Sequence, residues 1–488
     1  MVQAAVTRPG LESSSKGTEL SALPTSARPG DLTPAQHARI RRHLALIPVY
    51  IWLVYSWTHV LVRIPHDEPL RDFLHFYVQG VIAREHDAAA LYDMNRMADV
   101  AARVAPGGHR ALYPPVYGPQ VSLFFRPFAS LSYTGARNLW IVLSVFVYAV
   151  CTYAIWRVCP RLRDRGWMVA LLLAAAPALH FVVGFVQVSV LGLACVTAGF
   201  FAFRANRPFL AGLAIGSLAY KPPLGIAAAL ILVCDALAPA TPKLTGAESE
   251  RRPWRVVAGA IVAAAVQIAA GTLYWGPSIL SPYMMALTRI PDVAAGMEPN
   301  RFHMHSWRTF FDLLGLPGPV SLGAYLVVSA ATLVGAFVCW RSRGPLPLRY
   351  AALIIATILV DPHLYAYDLV LLIPAFLVLC DWILAQPDQR VADVFLIDGF
   401  RHEDTKARRP CALRVFVPSW LMPERLRSRS FNTVFLWLLY ICYLSPLFVT
   451  LADVGRLQLS PLLLGLLGVV ILSVLDSYRA VDTELVTA

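Results

Sequence analysis

Asp72, Lys221, Asp361, His363 and Asp368 stand at the ends of apolar runs, and their types are those that acid–base and electrostatic chemistry needs. A carboxylate there can take a proton from an attacking hydroxyl, and a cation can stabilise negative charge on a departing group. Asp72 belongs to the stretch Arg63 to Asn138, which carries the run RDFLHFYVQG, then LYD, then YPP, and is too polar to span a membrane. Read as a helix, this run puts Asp72, His75 and Gln79 on one side and Phe73, Phe76, Tyr77, Gly80 and Val81 on the other. Such a helix is expected to lie in the interface plane with its carboxylate just above the lipid. A loop with His303, His305 and Arg308 adds a further polar set, whose i, i+2 histidines could share a metal only in a loop.

Each group also has a plainer reading. Asp72 could serve as a helix-start carboxylate, Lys221 as a side chain snorkelling from a helix end, and Asp361 and Asp368 as caps across a Pro turn. Against these stands the distribution of charge: the middles of the apolar runs are nearly free of it, whereas several ends carry it. A transporter usually shows the opposite pattern together with internal repeats, and no clear repeat is seen. A transporter or flippase of lipid-linked sugars is therefore the alternative to an enzyme.

The elements that position these groups are membrane helices. The chain has 488 residues, 57% hydrophobic and 15% charged, with a mean hydropathy of +0.57, outside the range of soluble domains. A net charge of +12 would suit nucleic acid, but the arginines cluster beside the ends of apolar runs, so the charge reads as topology and no nucleic-acid partner is expected. The eight cysteines are scattered without CxxC spacing and read as core thiols. About twelve spans are expected, starting at Leu44 to Val62, with both termini in the cytoplasm. Residues 1–38 read as a disordered cytoplasmic tail, 39–384 as the membrane core, 385–430 as a basic cytoplasmic loop and 431–488 as a C-terminal transmembrane hairpin. Val116 to Leu131, broken by Pro119, Arg126 and Pro127, reads as an interfacial or re-entrant helix. Trp167 to Val183 and Val186 to Phe203 read as two spans joined by a tight turn near Gly184. Lys221-Pro222-Pro223 separates two short runs, and the arginines after Val158 and Phe203 place Lys221, Asp72 and the 361–368 cluster on the outer face.

No GxxxxGK[ST], GxSxG, HExxH or strand-linked GxGxxG occurs, and no soluble segment is large enough for a nucleotide-sugar domain. An activated sugar, if used, should come from within the membrane. The ordered set Asp72-Phe73 with Phe76-Tyr77 and Gly80, Leu91-Tyr92-Asp93, Tyr113-Pro114-Pro115, Lys221-Pro222 and Pro362-His363-Leu364-Tyr365-Ala366-Tyr367-Asp368 resembles glycosyltransferase family 87. The resemblance implies an all-α polytopic bundle of GT-C type and transfer of a sugar, mannose being the family's expectation, from a polyprenyl-phosphate donor to a lipid or glycan acceptor at the outer face of the plasma membrane. It implies Asp72 as general base with inversion. Lys221 would face the leaving phosphate, with Arg308 or His363 helping, and Asp361, Asp368, His75, Tyr77, Tyr92 and Tyr113 would line the substrate site. No cofactor is expected; a divalent cation on Asp67 and Glu68 is the alternative.

Overall fold

The computed structural model describes residues 33–63, 72–108, 112–238, 253–290, 301–387 and 429–487. Two units are distinguished, Met1–Tyr50 and Ile51–Ala488. Within the first, the described residues form the start of a helix, which begins at Pro34, a few residues inside the expected tail. The second contains the rest of that helix and every later element.

In chain order the α-helices are α1 (Pro34–Arg63), α2 (Phe73–Glu85), α3 (Met94–Val104), α4 (Pro119–Phe125), α5 (Tyr133–Arg157), α6 (Pro160–Arg163), α7 (Gly166–Ala174), α8 (Pro177–Phe185), α9 (Ser189–Arg204) and α10 (Pro208–Gly216). They continue as α11 (Pro223–Leu237), α12 (Pro253–Trp275), α13 (Leu280–Thr288), α14 (Trp307–Leu313), α15 (Gly318–Arg341), α16 (Leu346–Val360), α17 (Leu372–Ala385), α18 (Phe431–Leu444), α19 (Val449–Gly455) and α20 (Leu459–Thr487). Among the described residues no strand forms, and extended pairing is confined to a bridge between Met304 and Tyr365. Helices are what an apolar chain must form in lipid, because each satisfies its own backbone groups.

Eight helices among the described residues are long and apolar enough to cross a membrane, and four shorter apolar ones accompany them: Ser189–Arg204, Pro208–Tyr220, Pro223–Leu237 and Leu346–Val360. Prolines set many of the starts, since Pro fits the first helical turn, where its missing N–H is not needed. Pro119, Pro177, Pro208 and Pro223 all stand there. The expected span at Trp167 to Val183 is one of the eight, Gly166–Phe185, with Pro177 marking the break between its two parts, α7 and α8. The segment Val116 to Leu131 folds into short pieces, α4 and a 3₁₀ turn at Arg126–Ser130.

Close packing replaces the hydrophobic effect as the force between helices in lipid. Between α10 and α12 the backbones touch: a Cβ on Gly212 would lie 1.9 Å from Val256 O, and one on Gly259 would lie 2.1 Å from Phe209 O. Gly212 and Gly216 are four residues apart on one helix face, the small-residue spacing that permits such an approach.

One expectation is overturned here. Helix α2 is not a one-sided interfacial helix, because every residue from Phe73 to Ala83 is buried in protein. Its side facing α4 is closed by Gly80, where a Cβ would lie 2.4 Å from Phe125 O. Phe76 stacks against Phe125 and Phe73 meets it edge-on, with ring centres 5.2 and 6.1 Å apart. The periodicity reading failed because His75 and Gln79 satisfy each other: with Gln79 Nε2 2.5 Å from His75 Nε2, the polar side needs no water.

Candidate active site

The site forms where helices break. Asp72 precedes α2, residues 186–188 join α8 to α9, Lys221 and Pro222 precede α11, and Asp361 to Tyr365 follow α16. These breaks leave backbone groups to be satisfied, and the chain meets that need with its few polar side chains.

The centre is the turn Val186-Gln187-Val188, two residues beyond the turn expected near Gly184. Val186 closes α8 in the left-handed region (φ 53), a conformation that costs a β-branched residue on the order of 1–3 kcal/mol and persists only when the surroundings dictate it. The surroundings do so here. Trp140 Nε1 donates to Gln187 O (3.2 Å), Tyr220 Oη donates to Val188 O (3.3 Å), and Val188 N donates to Gln187 Oε1 (3.2 Å).

With its carbonyl so fixed, Gln187 directs Nε2 to Asp72 Oδ2 at 2.5 Å. Asp72 stands at the N-cap position of α2 without capping it through its side chain, and the carboxylate reaches across the fold to Gln187. Two residues after Gln187, Ser189 Oγ donates to Asp368 Oδ1 (2.5 Å). Asp368 also receives Lys221 Nζ at 2.7 Å on each oxygen and, through Oδ2, the N–H of Tyr365 (3.3 Å). The ammonium lies 5.1 Å from the centre of the Tyr367 ring, which stacks on Tyr365.

A single short turn therefore joins two carboxylates that are remote in sequence. Asp72, Tyr113, Tyr117, His363 and Tyr365 are half-buried, whereas Lys221, Asp361 and Asp368 are buried. Burial, then the charges of Asp368 and Asp72, raise the Tyr117 hydroxyl above its ordinary pKa, so this ring senses both carboxylates. Burial, then Asp72, does the same to Tyr113. Asp361 accepts the His363 N–H through Oδ1 (2.8 Å), and its Oδ2 is buried without a hydrogen-bond partner. Burial, reinforced by the charge of Asp368, pushes the Asp361 carboxyl up to about 6.

The other expected residues divide. Burial pushes His75 down to about 3, so it is neutral at physiological pH; its ring packs against Tyr113 and Tyr117. Tyr92 donates to Tyr117 O (3.1 Å) and props that segment from behind. Tyr77 turns away and donates to Leu131 O (2.8 Å). Arg308 is engaged by Asp312, at 2.9 Å on α14. Asp67 and Glu68 lie outside the described residues, as does most of the basic loop. Among the described residues no three His, Cys, Asp or Glu side chains gather as a metal site. Sequence reasoning does not single out Gln187, Ser189, Tyr117 and Tyr367 as site residues. The available signal is Gln187 itself, a polar residue between two apolar runs.

The arrangement pairs a half-buried carboxylate with a buried, hydrogen-bonded ion pair in a polytopic helical membrane protein, as expected of a site that handles a proton and an anion near lipid. Residues 116–362 match the sequence profile of Glycosyltransferase family 87. The chain belongs to that family, and the protein is a glycosyltransferase. Gln187, Ser189, Lys221 and Asp361 fall within the matched stretch; Asp368 lies just past its end, and Asp72 lies well before its start. No curated protein and no solved structure matches the chain.

Proposed function

We propose that this is an inverting glycosyltransferase of GT-C type that moves a hexosyl group, mannosyl by family expectation, from a polyprenyl-phosphate donor to a lipid or glycan acceptor. Asp72 is the general base. It takes the proton of an acceptor hydroxyl as that oxygen bonds to the anomeric carbon from the face opposite the phosphate. The bond from that carbon to the phosphate oxygen breaks, and polyprenyl phosphate leaves with the electron pair. Phosphate is already a good leaving group, so one carboxylate suffices, unlike glycosidases, where a protonated acid must assist.

The observation that carries this reading is the turn Gln187 to Ser189, which holds Asp72 at one end and the Asp368–Lys221 pair at the other. An ammonium has three donors, and Asp368 engages two of them. The third supplies the positive side for the departing phosphate. Arginines after α5 and α9 favour the cytoplasm, which supports the reading of a site on the outer face of the plasma membrane.

The test incubates the purified full chain with a panel of polyprenyl-phosphate sugars and follows donor consumption in the wild type and in Asp72→Asn. The variant should bind donor and fail to turn it over. Transfer at the original rate would remove Asp72 as base, and donor movement across a bilayer without consumption would favour a flippase.

A further inference from the structure

The segment Phe302 to Trp307 runs beside the site and is held from both sides. Toward the site, His305 N donates to Leu364 O (2.9 Å) next to the Met304–Tyr365 bridge, and His303 packs edge-on against Phe185, which in turn packs on Tyr367. Away from the site it meets the start of α20, beyond the stretch matched to the family. There the fully buried Gln458 gives Nε2 to two carbonyls of the segment, Phe302 O (3.0 Å) and Met304 O (2.9 Å). Ser460 Oγ meets His305 Nδ1 at 2.6 Å. Gly465 leaves room for Trp307, whose ring carbons would stand 2.8 and 2.9 Å from a Cβ at that position.

Gln458, Ser460 and Gly465 thus form one docking face, in which Gln458 holds the main chain while Ser460 and Gly465 seat the His305 and Trp307 rings. A side-chain amide that satisfies two carbonyls fixes where a strand runs rather than which residues it carries. Met304 sits directly between the Gln458 contact and the bridge to Tyr365. The Tyr365 ring stacks on Tyr367 with centres 5.3 Å apart, and Tyr367 lies under the Lys221 ammonium.

We propose that Gln458 is a positioning residue for the donor side of this site: it holds Phe302 to His305 against Leu364 and Tyr365, and thereby fixes the tyrosine stack beneath Lys221. The kinetic half of this proposal rests on the transferase reading above; the structural half does not. Removing both amide hydrogen bonds should loosen the segment by about tenfold in its local opening equilibrium.

The experiment compares the full-length wild type, Gln458→Leu and Ser460→Ala by hydrogen–deuterium exchange and by donor kinetics. In Gln458→Leu, peptides covering 301–306 and 363–367 should exchange about tenfold faster, and the KM for a polyprenyl-phosphate sugar should rise by a similar factor while kcat stays within about twofold. Ser460→Ala should move both readouts the same way by a smaller factor, and it decides the matter should Gln458→Leu not fold. Faster exchange confined to 301–306, with 363–367 and KM unchanged, would overturn the proposal. If the wild type consumes no such donor, the exchange readout still decides the positioning role, and the failure falls on the substrate reading instead.

Discussion

Asp72 and Asp368 are held by the same turn in opposite ways. Asp72 is half-buried and receives a neutral amide, Gln187, whereas Asp368 is wholly buried and receives an ammonium as well as a hydroxyl. An amide orients a carboxylate without adding a formal charge, so the oxygen keeps its capacity to accept a proton. An ammonium at 2.7 Å from both oxygens balances the charge and makes the pair a strut. One turn thus holds a half-buried carboxylate and a fully buried, ion-paired one, and the proposed mechanism gives the proton transfer to the first.

The sharpest way to break this comparison is to remove half of the strut. Asp368→Leu should cost about 3–5 kcal/mol by leaving Lys221 buried without its counter-charge, whereas Lys221→Met with Asp368→Leu should recover most of that loss and still turn over poorly. Thermal unfolding in one detergent checks both. A single variant as stable as the wild type would mean that the pair is not a strut. Asp72→Asn should show the reverse pattern, with turnover down by about 10²–10⁴-fold and little change in the unfolding midpoint.

Gly80→Ala tests whether α2 delivers Asp72 rigidly. Its added methyl meets the Phe125 carbonyl, a backbone atom that cannot swing aside, and overpacking of this kind costs about 1–3 kcal/mol. Gln187→Leu should slow turnover by about tenfold through loss of one hydrogen bond to a carboxylate, with donor KM nearly unchanged. A loss as large as that of Asp72→Asn would instead make Gln187 part of the chemistry.

The last effect concerns Asp361 and is read as a slope with pH. Its folded pKa of about 6 lies above its ordinary 3.8, so its contribution is fully present below about pH 4 and is lost as pH rises through about 6, by no more than about 1.4 kcal/mol per pH unit. Asp361→Asn should flatten the unfolding midpoint across that window. An unchanged slope would show that Asp361 is not the group responsible.

Much of the frame could be read from residue order. The apolar runs at Leu139, Val256, Val320 and Leu459 became α5, α12, α15 and α20, and Lys221-Pro222-Pro223 became the break before α11. The motif residues Asp72, Lys221 and Asp368 did converge on one region. Reading α2 as half-exposed failed because a period in polarity reports which residues differ, and His75 with Gln79 differ from their neighbours while bonding each other. Gln187 escaped notice because its meaning depends on a carboxylate 115 positions away.

What the sequence determined by itself was the helices, their breaks and the family, because each apolar segment must satisfy its own backbone in lipid and each Pro acts within a turn. Only the tertiary structure decided which carboxylate Lys221 pairs with. Lys221 and Asp368 are 147 residues apart, and nothing in either local run says that α9, α11 and the turn after α16 bring them within 2.7 Å while Gln187 reaches Asp72 from the same turn. Electrostatic partnership falls off with distance in space and is blind to distance along the chain, so it is settled by helix packing.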